Sequence, residues 1–235
     1  MHAQALLAQL RQLQPLQNQW GTFFVGDTPL VGLLRLLQTH VYAPIVHRRG
    51  AGRGTCSSSV QYGRRVDSEI DAYVSTGARP RTKHARSIVG ALASRGLRLL
   101  ATQVAVADAD TRVVAIIDGV AADAAGNPVF VEWKTGYEAS YVVAQGNMRG
   151  CMSGVPNSYR HRHALQVLAA RLIVQKVTGV DADSIVVVAN TRGVRVWQVD
   201  ARVRRAGAGL LQQISTRHEG GLDGAREPWS RPETQ

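Results

Sequence analysis

Two carboxylates and a lysine, set in strand-like text, are the residues best placed for chemistry. Asp118 ends the apolar part of "VVAIIDG", and Glu132 and Lys134 flank Trp133 in "VFVEWKTG". A carboxylate inside an otherwise apolar β run has to be paired, solvated or metal-bound, because burying it alone is expensive. Glu132 and Lys134, two residues apart, point to one face of a strand, and Trp133 points to the other. If "DAAGN" (Asp123 to Asn127) closes a hairpin, Asp118 and Glu132 come roughly opposite one another across the ladder. Like charges so placed repel unless a cation intervenes. Mg²⁺ or Mn²⁺ wants hard oxygen ligands, which Asp118, Glu132 and the Trp133 carbonyl would supply, while the Lys134 ammonium orients or polarises a water. That set suits phosphodiester hydrolysis. The structural alternative is a salt bridge among the same three residues. Among 28 basic residues only Lys83, Lys134 and Lys176 are lysines, and only Lys134 completes an acid-x-Lys triplet. A lysine offers a compact ammonium able to contact one water, which Arg does not.

The elements that must position these residues follow from periodicity. Leu6, Leu7, Leu10 and Leu13 predict a short helix over residues 3 to 14, ending before Pro15, and a second helical pattern covers residues 29 to 41. "HRRGAGRGTCSSS" reads as a basic loop. Val66, Ile70 and Tyr73 define one face of a helix from Gly63 to Gly77, with Asp67 at its border, and "RPRTKHARSIVGALASRG" predicts another helix. Leu97 to Ala107, Arg112 to Ala122 and Pro128 to Lys134 predict an antiparallel meander. Leu165, Leu168, Ala169, Leu172 and Ile173 define a helix closed by Gly179, and "SIVVVAN" and "VRVWQVD" predict two more strands. The order implies an α/β or α+β sheet flanked by helices. Residues 1–60 read as a helical extension with a basic loop, 61–200 as the core, and 201–235 as a basic tail with a disordered end.

The net charge of +11 attracts polyanions, of which nucleic acid is the commonest. No run of about 18 apolar residues is present, so a membrane partner is not expected. The two cysteines, Cys56 and Cys151, are too few for a four-cysteine metal site, and such sparse usage points to an intracellular protein with free thiols. The absence of a G-x-x-x-x-G-K-[ST] motif argues against a nucleotide cofactor.

At "IDG" and "EWKTG" the chain resembles the PD-(D/E)XK nuclease superfamily, and within it the RecB-like, lambda-exonuclease-like exonucleases. The resemblance covers about residues 61 to 190. It implies a restriction-endonuclease-like core with a mixed sheet, the motif's Asp at Asp118, its Glu and Lys at Glu132 and Lys134, and a divalent metal cofactor. It also implies a DNA substrate and residence in a DNA-containing compartment. The family's upstream helix begins with Gly and carries His or Glu four residues on; here Gly63 is followed by Asp67, which would be a substitute metal ligand, with Glu69 as an alternative. The family's downstream helix carries Gln, matched by Gln166, followed four residues later by Tyr, replaced here by Ala170. Gln166 is either a phosphate or Lys134 contact, or a plain surface residue.

For nucleic-acid contact the sequence offers Arg64 and Arg65, then Lys83 and Arg86, and above all "YRHRH" before the Gln166 helix. There Arg160, His161 and Arg162 would meet phosphate at a helix start and Tyr159 would stack on a base. The expected function is a metal-dependent DNA exonuclease. The alternatives are an endonuclease on the same core or an inactive nucleic-acid binding module.

Overall fold

The computed structural model describes residues 2–45 and 56–213. A mixed sheet is flanked by helices on both faces. Its main strands are β5 (Arg98–Asp108), β6 (Val113–Ala122), β7 (Pro128–Thr135), β8 (Asp183–Asn190) and β9 (Gly193–Gln198), side by side in that order. β5, β6 and β7 form the expected antiparallel meander, β7 and β8 run parallel, and β8 and β9 form a hairpin. A parallel neighbour needs a crossover, supplied here by α5 (Tyr159–Thr178). The β6–β7 turn is set by Asp123, whose carboxylate accepts from the Asn127 amide at 2.8 Å, and by Gly126 at φ 82°.

Alternation along β7 and β8 divides the core between two faces. Phe130, Val186 and Val188 pack with α1 (Ala3–Gln12), α2 (Leu33–His40) and α5, through Leu6, Leu10, Leu37, Leu165 and Ile173. Val129, Val131, Trp133, Ile185 and Val187 pack on the other face against α3 (Cys56–Thr76) and α4 (Lys83–Ala93), through Val66, Ile70, Ile88 and Leu92.

Several boundaries differ from the sequence reading. Residues 29–41 are not one helix. A small sheet of β1 (Leu16–Gln17), β2 (Phe23–Val25) and β3 (Thr28–Pro29) precedes β4 (Val31–Gly32), which pairs in parallel with Val113 and Val114 of β6 before α2 begins. This long-range pairing overrides local helical spacing. α3 starts upstream of Gly63, at Cys56, so "CSSS" belongs to a helix. Of the expected basic loop, residues 46–55 lie outside the described residues, as does the tail from 214 onward. Residues 201–207 form α6 (Ala201–Gly207), capped by Asp200, and its Val203 is buried in the main core.

Candidate active site

The site lies at a gap in the sheet. β5 pairs with β6 along nearly its whole length, so β4 and β7 share the other edge of β6. β4 pairs only with Val113 and Val114, and β7 pairs only from Gly119 onward. The edge of β6 between them opens onto a cleft of about 560 Å³, lined among others by Gly32, Arg35, Gln103, Ile116, Asp118, Lys134 and Gln166.

Extending the register one step beyond Gly119 and Val131 puts Asp118 opposite Glu132, as the hairpin predicts. The ladder stops there because the Asp118 side chain takes over the bonding. Its Oδ2 accepts from the Trp133 backbone N–H at 3.1 Å and lies 3.5 Å from Lys134 Nζ. Lys134 also pairs closely with Glu132. Glu132 is only 2% exposed, and its Oε1 is the oxygen that meets the Lys134 ammonium, so that buried charge has Lys134 as its partner. Burial first, and the Asp118 charge second, push the Glu132 carboxyl up to about 8. Lys134 is shifted up as well: burial opposes its charge, but Glu132 and Asp118 outweigh that opposition.

One ammonium is therefore shared between two carboxylates, one of them almost wholly buried. This donor set fits a divalent cation held by Asp118 and Glu132, with the Trp133 carbonyl on the same segment. Among the described residues no group of three His, Cys, Asp or Glu side chains converges as a ready metal cage.

Trp133 faces the other side, where its indole N–H donates to Asp67 at 2.8 Å. Asp67 thus holds the strand segment between the two functional residues. Its carboxyl is raised by burial above all, lowered by the Trp133 bond, and raised again by the Asp118 charge. Glu69 accepts from the backbone amides of Arg81 and Thr82 at 2.9 and 2.6 Å, tying the entry of α4 to α3. Gly119 is required by proximity: a Cβ there would lie 2.5 Å from Trp133 Cζ3 and 3.0 Å from Leu99 Cδ2. Gly63 sits beside Thr135 at the end of β7, so α3 does run alongside the site.

Gln166 reaches the cleft from α5, bringing it together with Asp118 and Lys134. The "YRHRH" segment does not precede that helix but forms its first turns, because Ser158 caps it by accepting from the His161 amide. Arg160 lies over the Trp197 ring at 4.3 Å. His161 contacts Ser158 and Asp200. Arg162 is committed to holding a loop, through Asn157 Oδ1 at 2.9 Å and the Ala43 carbonyl, and it stacks over Tyr42 and Tyr159. Arg64 and Arg65 are exposed on α3, the latter paired with Glu69. Lys83 is near the Thr191 carbonyl, and Arg86 bonds the Arg81 carbonyl.

Three residues of this region carry no signal in the sequence. Gln103 has φ 49° within β5 and sets its amide 3.5 Å from Asp118 Oδ1. Arg35 lines the cleft from the first turn of α2, whose N-cap, Gly32, provides no side-chain acceptor. Tyr42 is buried near Glu132, and burial together with that charge raises its hydroxyl. Compared with known proteins, the chain matches no family model and no curated sequence.

Proposed function

We propose that the chain is a divalent-metal-dependent nuclease acting on DNA phosphodiesters, with an exonuclease mode favoured by the resemblance at "IDG" and "EWKTG". The observation that carries this reading is the convergence of Asp118, Glu132 and Lys134 where β6 and β7 part. Asp118, Glu132 and the Trp133 carbonyl would hold Mg²⁺ or Mn²⁺, which when bound neutralises phosphate charge and makes water nucleophilic at neutral pH.

The other steps belong to the chain's own groups. The Trp133 amide and Lys134 fix one oxygen of Asp118, leaving its other oxygen toward the cleft and the Gln103 amide. Lys134 is cationic, so it would orient an attacking water through its lone pairs and stabilise charge growing on the phosphate, without acting as the base. Gln166 supplies a neutral donor and acceptor at the cleft wall for a phosphate oxygen. Arg35 and the uncapped first turn of α2 favour an anion entering from the opposite rim. A net charge of +11 draws nucleic acid toward the protein. Among the described residues no helix is long and apolar enough to cross a membrane.

End-labelled linear DNA and covalently closed DNA, incubated with Mg²⁺, Mn²⁺ or EDTA, test this directly. Expected are loss of label from linear DNA with either metal and none with EDTA. Cleavage of closed circles would favour an endonuclease. Metal-dependent binding of DNA without hydrolysis would favour a binding module.

A further inference from the structure

On the other side of β7 from the cleft, a pocket of about 150 Å³ is lined by Tyr137, Tyr141 and Trp197 rings and by Arg192 and Arg195. We propose that this pocket seats one nucleobase of the strand being cleaved, an inference that rests on the nuclease reading and names a subsite for its substrate.

The sheet register fixes where the pocket stands. Lys134 is paired with Val188, and Val188 with Arg195; Glu132 is paired with Val186, and Val186 with Trp197. Each pair shares a sheet face, so Arg195 and Trp197 share the face of the two functional residues, two strands away. At about 4.8 Å per strand that is about 10 Å, a distance one nucleotide can span from a phosphate at Lys134.

The lining suits a flat, electron-rich ring joined to an anion. Tyr137 and Tyr141 rings meet edge to face, 5.7 Å apart; Tyr141 is buried, so Tyr137 and Trp197, both part-exposed, are the rings that a further aromatic can reach. Trp197 Nε1 is buried with no acceptor among the described residues, a state that proteins rarely leave uncompensated and that a ring nitrogen or carbonyl of a base would relieve. Arg192 is held 3.5 Å from Glu138, whereas Arg195 is exposed and has no carboxylate partner among the described residues, so it can meet the phosphate beside the base.

Backbone strain points the same way. Gly136 and Tyr137 are consecutive residues in the left-handed region, at φ 83° and 55°. For a bulky non-glycine residue this is unfavourable and is retained where surrounding structure fixes it. Tyr137 is fixed by ring contacts with Tyr159 at 4.8 Å and His163 at 5.1 Å. The turn thereby carries the chain directly from Lys134 to the wall of the pocket.

The test uses the full chain and short single-stranded oligodeoxynucleotides in which an abasic sugar replaces each nucleotide in turn. Binding is measured by fluorescence anisotropy with Ca²⁺, and cleavage with Mg²⁺. One abasic position is expected to weaken binding by about five- to 150-fold, the loss typical of one stacked base, with little effect at the others. Tyr141→Leu should flatten that profile. Because Tyr141 is buried, Arg195→Ala provides a second, surface variant, which should weaken the intact strand while leaving thermal unfolding unchanged. A uniform abasic profile, no binding of DNA, or a profile unaltered by both variants would overturn the pocket assignment. A position-specific binding profile without any Mg²⁺-dependent cleavage would leave the pocket standing and sink the nuclease reading instead.

Discussion

Gly119→Ala is the sharpest test of how the two halves of the site are registered. The added Cβ would stand 2.5 Å from Trp133 Cζ3, 3.2 Å from Trp133 Cη2 and 3.0 Å from Leu99 Cδ2. Carbon atoms in good contact are about 3.5 to 4.0 Å apart, so the indole must withdraw by about 1 Å. It has little room: Trp133 is 2% exposed, packs among Val66, Ile70 and Val131, and is tethered to Asp67. Overpacking of this kind costs about 1 to 3 kcal/mol. At about 2 to 4 °C per kcal/mol for a chain of this size, melting should fall by about 2 to 12 °C. Because Trp133 lies between Glu132 and Lys134, a shift of its backbone also displaces both, and misplacement of about 1 Å can cost about 100-fold in rate. Urea unfolding of a double-mutant cycle isolates the contact, since Trp133→Leu removes the colliding ring. In that background Gly119→Ala should cost at least about 1 kcal/mol less than in the wild type. A neutral Gly119→Ala, or the same penalty in both backgrounds, would refute this account of Gly119.

The remaining predictions concern charge. Glu132→Ala and Lys134→Ala should each abolish cleavage while DNA binding stays nearly intact; gel-shift and cleavage assays run in parallel would expose retained activity in both variants, which sinks the site. The folded-state pKa of Glu132, about 8, exceeds the ordinary 4.5, so the protonated form favours folding. Without metal, the stability of the wild type relative to Glu132→Gln should be greatest near pH 4.5 and fall as pH rises toward 8; a constant difference across that window in chemical denaturation would contradict it. Asp67→Asn keeps an acceptor for Trp133 and should raise the Mg²⁺ needed for activity with little change in melting, whereas Asp67→Ala should cost about 1 to 3 kcal/mol by leaving the indole N–H unpaired; equal effects of the two would remove the electrostatic role. DNA affinity should fall linearly on a log scale with log salt, and a flat response in filter-binding titrations would contradict an electrostatic track.

The parts of the fold legible in the sequence are those governed by local chemistry. β5 to β7 show apolar strand runs, and Asp123 and Gly126 provide the turn, so the opposition of Asp118 and Glu132 follows without knowledge of the remaining chain. The start of α5 depends on Ser158, a plain capping residue in retrospect, but the polar "YRHRH" stretch hides the helical period. β4 is not legible at all: Val31 and Gly32 acquire strand geometry only by pairing with Val113 and Val114, some 80 residues away in sequence. Gln103 is illegible for a different reason. Its left-handed φ turns a side chain in the middle of a strand toward Asp118, and nothing in the residue type foretells that conformation. Glu69 shows the converse hazard. Its spacing allows a role as an alternative ligand, yet two backbone amides at the α3–α4 junction already occupy one of its oxygens and Arg65 the other.

The sign of the local charge bears on what the site is for. The chain as a whole is strongly basic, yet at the gap between β6 and β7 two carboxylates face a single lysine, leaving the centre net negative when both are ionised. A plain salt bridge needs one acid, and a plain phosphate site needs none, since each extra carboxylate repels the anion that the surrounding surface attracts. Burial makes the surplus acid costlier, because the repulsion between Asp118 and Glu132 is less screened than it would be in water. Protonation of Glu132 relieves that cost in the isolated protein, consistent with a carboxyl pushed up to about 8. A divalent cation relieves it without a proton and reverses the local sign, so that the same centre then attracts phosphate. Of the readings compatible with three residues on one strand pair, the proposed cation site is one in which the second carboxylate has a purpose.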